Sequence, residues 1–108
     1  MMTHIKMIHW ILEIADKNIG EAERYADKAH MLKDEHRGAA DWCVEMAKRH
    51  LEFNEKGCSM LTQLCREMEQ NMGENELYKM MKTYVTETRA HLARETAEIK
   101  MKLEMYER

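Results

Sequence analysis

Residues 40–72 read ADWCVEMAKRHLEFNEKGCSMLTQLCREMEQNM. Along this stretch Ala40, Val44, Ala47, Leu51, Asn54, Cys58, Leu61, Cys65, Met68 and Met72 recur at alternating spacings of three and four, the period at which side chains return to one face of an α-helix. The pattern predicts a helix from about Glu35 or His36 to Gln70. A helix that long can bury its stripe only against elements of comparable length, so this seam decides the fold class.

Upstream, Ile5, Ile8, Leu12, Ala15, Ile19, Ala22, Ala26 and Ala29 follow the same spacing, flanked by Ile11, Tyr25 and Leu32. They predict a helix over about residues 3–33 with Thr3 as its N-cap. Gly20, two residues after Asn18, is a candidate break, but the seam stays in phase across it, and one continuous helix is expected. The first turn falls near Lys33-Asp34-Glu35, with Asp34 as the N-cap of the second helix, or near Gly38 if the first helix runs on. Downstream, Asn71-Met72-Gly73 offers a C-cap, and Glu74, Asn75 and Glu76 place acidic and capping groups at the start of a third helix. That helix, about residues 75–107, carries Leu77, Met81, Tyr84, Val85, Thr88, Leu92, Thr96, Ile99, Leu103 and Tyr106, a narrower and more polar seam than the other two.

The expected architecture is therefore a single all-α domain over residues 1–108, three long helices in an antiparallel up-down-up bundle. Such a bundle is slender, and its alanine-rich stretch from Ala15 to Ala29 buries little apolar area per residue. Dimerisation would complete it. Met7, Trp10, Met31, Trp42, Met60, Met80, Met101 and Met105 fall off the seams, and methionine suits adaptable contacts, so a self-association or partner surface is expected. In the other reading, the 12 methionines fill a loosely specified core.

Composition narrows the function classes. The chain has 108 residues, no proline, four glycines and 34% charged residues, with a net charge of -3. Acidic and basic residues are interleaved throughout, which leaves no cationic surface to replace phosphate counterions, and nucleic acid is not an expected partner. No apolar run approaches the roughly 20 residues needed to cross a bilayer. The three cysteines and the charged start Met1-Met2-Thr3-His4-Ile5-Lys6, which lacks a signal-like apolar stretch, point to reduced thiols in the cytoplasm.

The polar seam residues carry the functional reading, because an unpartnered buried amide or imidazole costs about 1–3 kcal/mol. Asn54 is the strongly polar residue on the second seam, with His50 and Cys58 one turn to either side. If the first turn is centred near residue 36, pairing sets Asn18 opposite Asn54. If the second is centred near residue 73, Leu92 falls opposite Asn54, with His91 and Glu95 beside it. One middle layer would then collect Asn18 and Glu21, His50, Asn54 and Cys58, and His91 with Glu87 or Glu95. In one reading His50, His91 and a carboxylate, Glu95 or Glu21, hold a transition-metal ion or a small polar ligand. In the other, Asn54 fixes the helix register and the histidines are satisfied by hydrogen bonds or solvent. His9 with Glu13 and His30 with Asp34 are i, i+4 surface pairs. Cys58 lies two turns from His50, and Cys58 and Cys65 are too far apart for a disulfide. Glycine-rich phosphate loops, HExxH and CxxC are absent from the sequence. No catalytic residue and no cofactor are assigned on these grounds, and an enzyme is disfavoured.

The hairpin from Glu13 to Cys65 contains Glu21-Ala22-Glu23-Arg24-Tyr25-Ala26, Asp34-Glu35-His36 and Met46-Ala47-Lys48-Arg49-His50, and over this half of the chain it resembles ferritin-like, rubrerythrin-type helix pairs. The resemblance implies a pair of metal ions bound by a glutamate on one helix and a Glu-x-x-His on the next, repeated on a second hairpin that another chain would supply. Glu21 matches the first glutamate. The second motif is not matched, since Glu52 is followed at the third position by Glu55 and His50 is out of register. The expected function is a non-catalytic helical module that self-associates as a homodimer. The alternative is a ferritin-like metal- or small-ligand-binding bundle using the middle His/Asn/Glu layer.

Overall fold

A computed structural model of the chain describes residues 3–73 and 75–108. Three helices, α1 (His4–Leu32), α2 (Arg37–Met72) and α3 (Glu76–Glu107), account for nearly all of them. There is no strand among the described residues, and no helix is long and apolar enough to cross a membrane. Met1 and Met2, and Glu74 of the expected third-helix start, lie outside the described residues.

The helix ends follow local capping chemistry. Thr3 Oγ1 accepts from the Lys6 amide at 3.3 Å, and α1 then runs unbroken through Gly20. The expected Asp34 cap is not used: α2 begins at Arg37, after His36, whose side chain makes no capping bond. The reason is that the His36 amide donates to Leu32 O at 2.8 Å, which winds Lys33–Glu35 into a further turn and leaves Asp34 too early to meet the free amides of α2. At the other end of α2, Gly73 adopts φ 65° and donates its amide to Glu69 O at 2.9 Å, a left-handed position that glycine occupies without Cβ strain. Asn75 Oδ1 then caps α3 by accepting from the Tyr78 amide at 2.8 Å.

Packing is tightest between α1 and α2. Ala22, Ala26 and Ala29 on α1 and Ala40 and Ala47 on α2 are 0% exposed, so along this half the two backbones approach with no more than methyl groups between them. Larger side chains, Ile8, Leu12, Ile19, Leu51 and Leu61, fill the rest of the seam. As residue numbers rise along α1, partner numbers fall along α2: His4 meets Glu67 at 2.8 Å, Asn18 meets Asn54 at 3.1 Å, and Tyr25 meets Trp42 edge-on.

α3 is held differently. Tyr78, Val85, Leu92, Ile99 and Tyr106, all buried, recur every seven residues, with Met81 and Leu103 also buried toward the two ends, while Thr88, Glu95 and Lys102 occupy intervening half-heptad positions where an apolar seam would continue. Leu77 and Tyr84, expected on this seam, are 47% and 43% exposed. Each stands one residue before a seam position, about 100° around the helix from it. Where α3 faces α2, long polar side chains reach across: Arg89 to Thr62 at 3.2 Å, Lys100 to Glu55 at 3.6 Å and Lys48 to Glu107 at 2.7 Å. The Cα trace spans 56 × 26 × 15 Å, a slab rather than a cylinder.

Tyr106 fastens the end of α3 to the turn between α1 and α2. Its hydroxyl donates to Asp41 Oδ1 at 2.6 Å, and its carbonyl, one of those left free at a helix C-terminus, accepts from Lys33 Nζ at 2.6 Å. Lys33 and Arg37 also lie over its ring, at 5.0 and 5.1 Å from the centroid, cations placed at the negative end of a helix dipole. The Tyr106 hydroxyl, followed by Arg37, holds the Asp41 carboxyl below its ordinary value, and the same bond pushes the phenol up.

Two measurements follow. Ile99→Ala should destabilise by about 2–5 kcal/mol and Leu77→Ala by under about 0.5 kcal/mol in urea denaturation. Equal costs would contradict the heptad phase of α3. Because the Asp41 carboxyl is lowered in the folded chain, its bond to Tyr106 contributes above the ordinary carboxylate range and fades as pH falls through the folded value. Tyr106→Phe should therefore lower Tm at neutral pH, with the gap to the wild type narrowing under acid.

Candidate functional site

Asn54 is 8% exposed and is the buried polar residue among those described. Its Nδ2 donates to the Ala15 carbonyl at 2.9 Å, and its Oδ1 accepts from Asn18 Nδ2 at 3.1 Å. Asn18 Oδ1 in turn accepts at 3.1 Å from His50 Nδ1. Because an amide oxygen can only accept, His50 carries its proton on Nδ1 in this arrangement. The His50 ring stacks on Tyr25, with centroids 5.7 Å apart and planes at 19°, and Tyr25 meets Trp42 edge-on at 5.7 Å. A continuous ladder of polar and aromatic groups thus runs from the buried Asn54 out to Trp42, which is 55% exposed. Among the described residues no buried side-chain nitrogen or oxygen lacks a hydrogen-bond partner.

The expected layer is assembled in part. Asn18, His50 and Asn54 come together, and Cys58 joins Asn54 and Leu92 along a groove on the opposite side of α2 from the Trp42 ladder. The other candidates are engaged elsewhere. His91 pairs with Glu95 on α3 at 2.9 Å and lines a separate groove beside His9 and Asp16 of α1. Glu21 pairs with Arg24 at 3.0 Å on the surface. Among the described residues no group of three or more His, Cys, Asp or Glu side chains is arranged to hold a metal ion. The donor set does not suit the pair of ions that a ferritin-like site holds. A Glu-x-x-His ending on His50 would need a glutamate at Ala47, and that position is fully buried where α1 and α2 approach most closely.

The groove lies between α2 and α3, is open along one side, and has a volume of about 580 Å³. Ala15, Leu51 and Leu92 form its floor, Cys58 lies on one wall, and Ala90, Ala93 and Ala97 form the other. It exists because alanines stand where larger side chains would have filled the gap, and because the Arg89–Thr62 and Lys100–Glu55 bridges hold the helices apart at polar side-chain length. All three cysteines are free thiols. Burial pushes the Cys65 thiol up, and the charges of Arg89 and Lys82 only partly offset this.

Several interactions here had no sequence argument. Pairing Asn18 with Asn54 also sets Tyr25 opposite Ala47, one turn from His50, so the aromatic half of the ladder follows from the same register. His30 and His9 do not pair with Asp34 and Glu13; His30 Nε2 donates to the Lys102 carbonyl at 2.8 Å, and His9 lies against the Tyr84 ring. No local signal marks either.

Comparison of the chain with protein-family models, curated proteins and solved structures gives no match.

Asn18 and Asn54 act as a unit, which a double-mutant cycle can measure. Each single change to alanine should destabilise by about 1–3 kcal/mol, and the double change by less than their sum, with a coupling of about 0.5 kcal/mol or more. Additive losses would mean that the bond between the two amides does not contribute.

Proposed function

We propose that the chain is a non-catalytic helical module that assembles as a homodimer, its three helices arranged as an antiparallel up-down-up bundle. The falling pair order between α1 and α2, His4 with Glu67 and Asn18 with Asn54, supports that topology, as does the order between α2 and α3, Lys48 with Glu107 and Thr62 with Arg89.

The observation that carries self-association is a second apolar seam. Trp10 and Ile14 on α1, and Trp42, Phe53 and Met60 on α2, are 53%, 38%, 55%, 62% and 49% exposed. Helical periodicity sets them on the side of the α1–α2 pair away from α3, since α3 meets α1 through His9 and Asp27 and meets α2 through Lys48, Glu55 and Thr62. With about 150–250 Å² per aromatic ring, these five side chains leave roughly 500 Å² of apolar surface facing solvent. A stable interface buries about 800 Å² on each partner, and the interleaved polar side chains supply the remainder as a rim. A second copy suits this face because a two-fold axis pairs each seam with itself, and because a slab 15 Å deep has one layer of core to itself. Lys17, Glu21, Arg24 and Lys28 along the α1 edge mix both signs, which permits self-pairing. Three free cysteines support a reducing, cytoplasmic setting.

Sedimentation velocity at tens of micromolar should give a dimer for the wild type and a monomer for Phe53→Glu or Trp42→Glu, with at least about a thirtyfold loss of affinity. His91→Ala should leave assembly unchanged. A wild-type chain that sediments as a monomer would sink the reading.

A further inference from the structure

We propose that the groove between α2 and α3 binds a linear alkyl carboxylate, with the hydrocarbon along the alanine wall and the carboxylate on Arg89. The groove lies away from the Trp42–Phe53 seam, so this site stands independently of self-association.

The size and lining point to a chain molecule. About 580 Å³ bounded by Ala15, Leu51, Leu92, Ala93 and Ala97 is within the usual range for a small-ligand site and is mostly apolar. Its ends are set by the Arg89–Thr62 and Lys100–Glu55 bridges. Lys100 lies eleven positions after Arg89 on α3, about 16 Å along the axis. An extended chain advances about 1.2 Å per bond, so roughly a dozen bonds span that distance. A helix, about 10 Å across, would need a trough open at both ends, and the two bridges cross it.

Charge sets the head group and its direction. Arg89 is half-buried, always protonated, and has no carboxylate partner among the described residues; its Nη1 donates to the Thr62 hydroxyl at 3.2 Å. The remaining guanidinium N–H groups form the fork that a carboxylate accepts in bidentate fashion. Lys100, at the far end, is already paired with Glu55. Cys65, whose thiol burial keeps protonated, does not supply the counter-charge. An anionic head therefore goes to the Arg89 end and the hydrocarbon tail runs toward Lys100.

Titrating dodecanoate, below the concentration at which it self-associates, into the full chain by calorimetry tests the site. One saturable event per chain is expected. Ala93→Trp, or Ala93→Leu if the larger side chain perturbs the fold by circular dichroism, should abolish it. Arg89→Gln should weaken it about ten- to a hundredfold, and dodecanol should bind the wild type more weakly by a similar factor. No saturable binding, or binding that survives filling the groove, would overturn the proposal. So would dodecanol binding as tightly as dodecanoate. If Ala93→Trp instead converts a dimer to a monomer and dodecanoate does not bind, the groove is a contact between copies and the proposal fails.

Discussion

The register of α1 on α2 rests on one buried amide. The two seams repeat every seven residues and are lined with alanine and leucine, so sliding one helix by a heptad would keep apolar groups facing apolar groups nearly throughout. Asn54 removes that degeneracy. Its hydrogen bonds to the Ala15 carbonyl and to Asn18 form in one alignment, and any other buries the amide against hydrocarbon at a cost of about 1–3 kcal/mol. From this alignment follow the place of His50 beside Asn18, of Tyr25 beside His50, and of Cys58 and Leu51 on the edge that α3 faces. The alanines reinforce it, since only their short side chains permit the helices to approach closely enough for Asn54 to reach a backbone carbonyl on its neighbour.

Much of this was legible in the sequence because it depends on period and on short-range capping. The seams of α1 and α2, the continuity through Gly20, the Gly73 cap and the Asn18–Asn54 pair all follow from spacing and turn position. What could not be read depends on choices between near-equivalent partners. Leu77 and Tyr78 are adjacent and both apolar, and only packing into the core selects Tyr78 for the interior. Asp34 is a good capping residue that goes unused because a backbone bond from His36 to Leu32 acts first. The Tyr106–Asp41 bond joins residues far apart in sequence, with no periodic signal to announce it. The middle layer was legible for Asn18, His50 and Asn54, where the α1–α2 register is fixed, and not for Glu21, which pairs with Arg24, nor on α3, where His91 lines a different groove and pairs with Glu95.

The two faces of the slab differ in the size of what they present. On one, aromatic rings and methionines project, and a flat, self-similar partner is the natural complement. On the other, alanines recede and leave a recess edged by charge. Large side chains project from α1 and α2 while small ones line the α3 side of the groove, and this distribution of bulk separates proposed assembly from proposed ligand binding onto opposite sides of the chain.

The seven-residue recurrence on α3, with polar groups at the intervening positions, has a bearing on how the molecule breathes. Between Val85 and Ile99 the middle of α3 buries only Leu92, whereas α1 and α2 interlock through a fuller seam and the Asn18–Asn54 pair. Free energy of local opening is therefore unevenly distributed, and α3 is the least protected cooperative unit. The Tyr106 clamp holds one end of that unit and Asn75 caps the other, which leaves the stretch alongside the alanine wall with the fewest anchors.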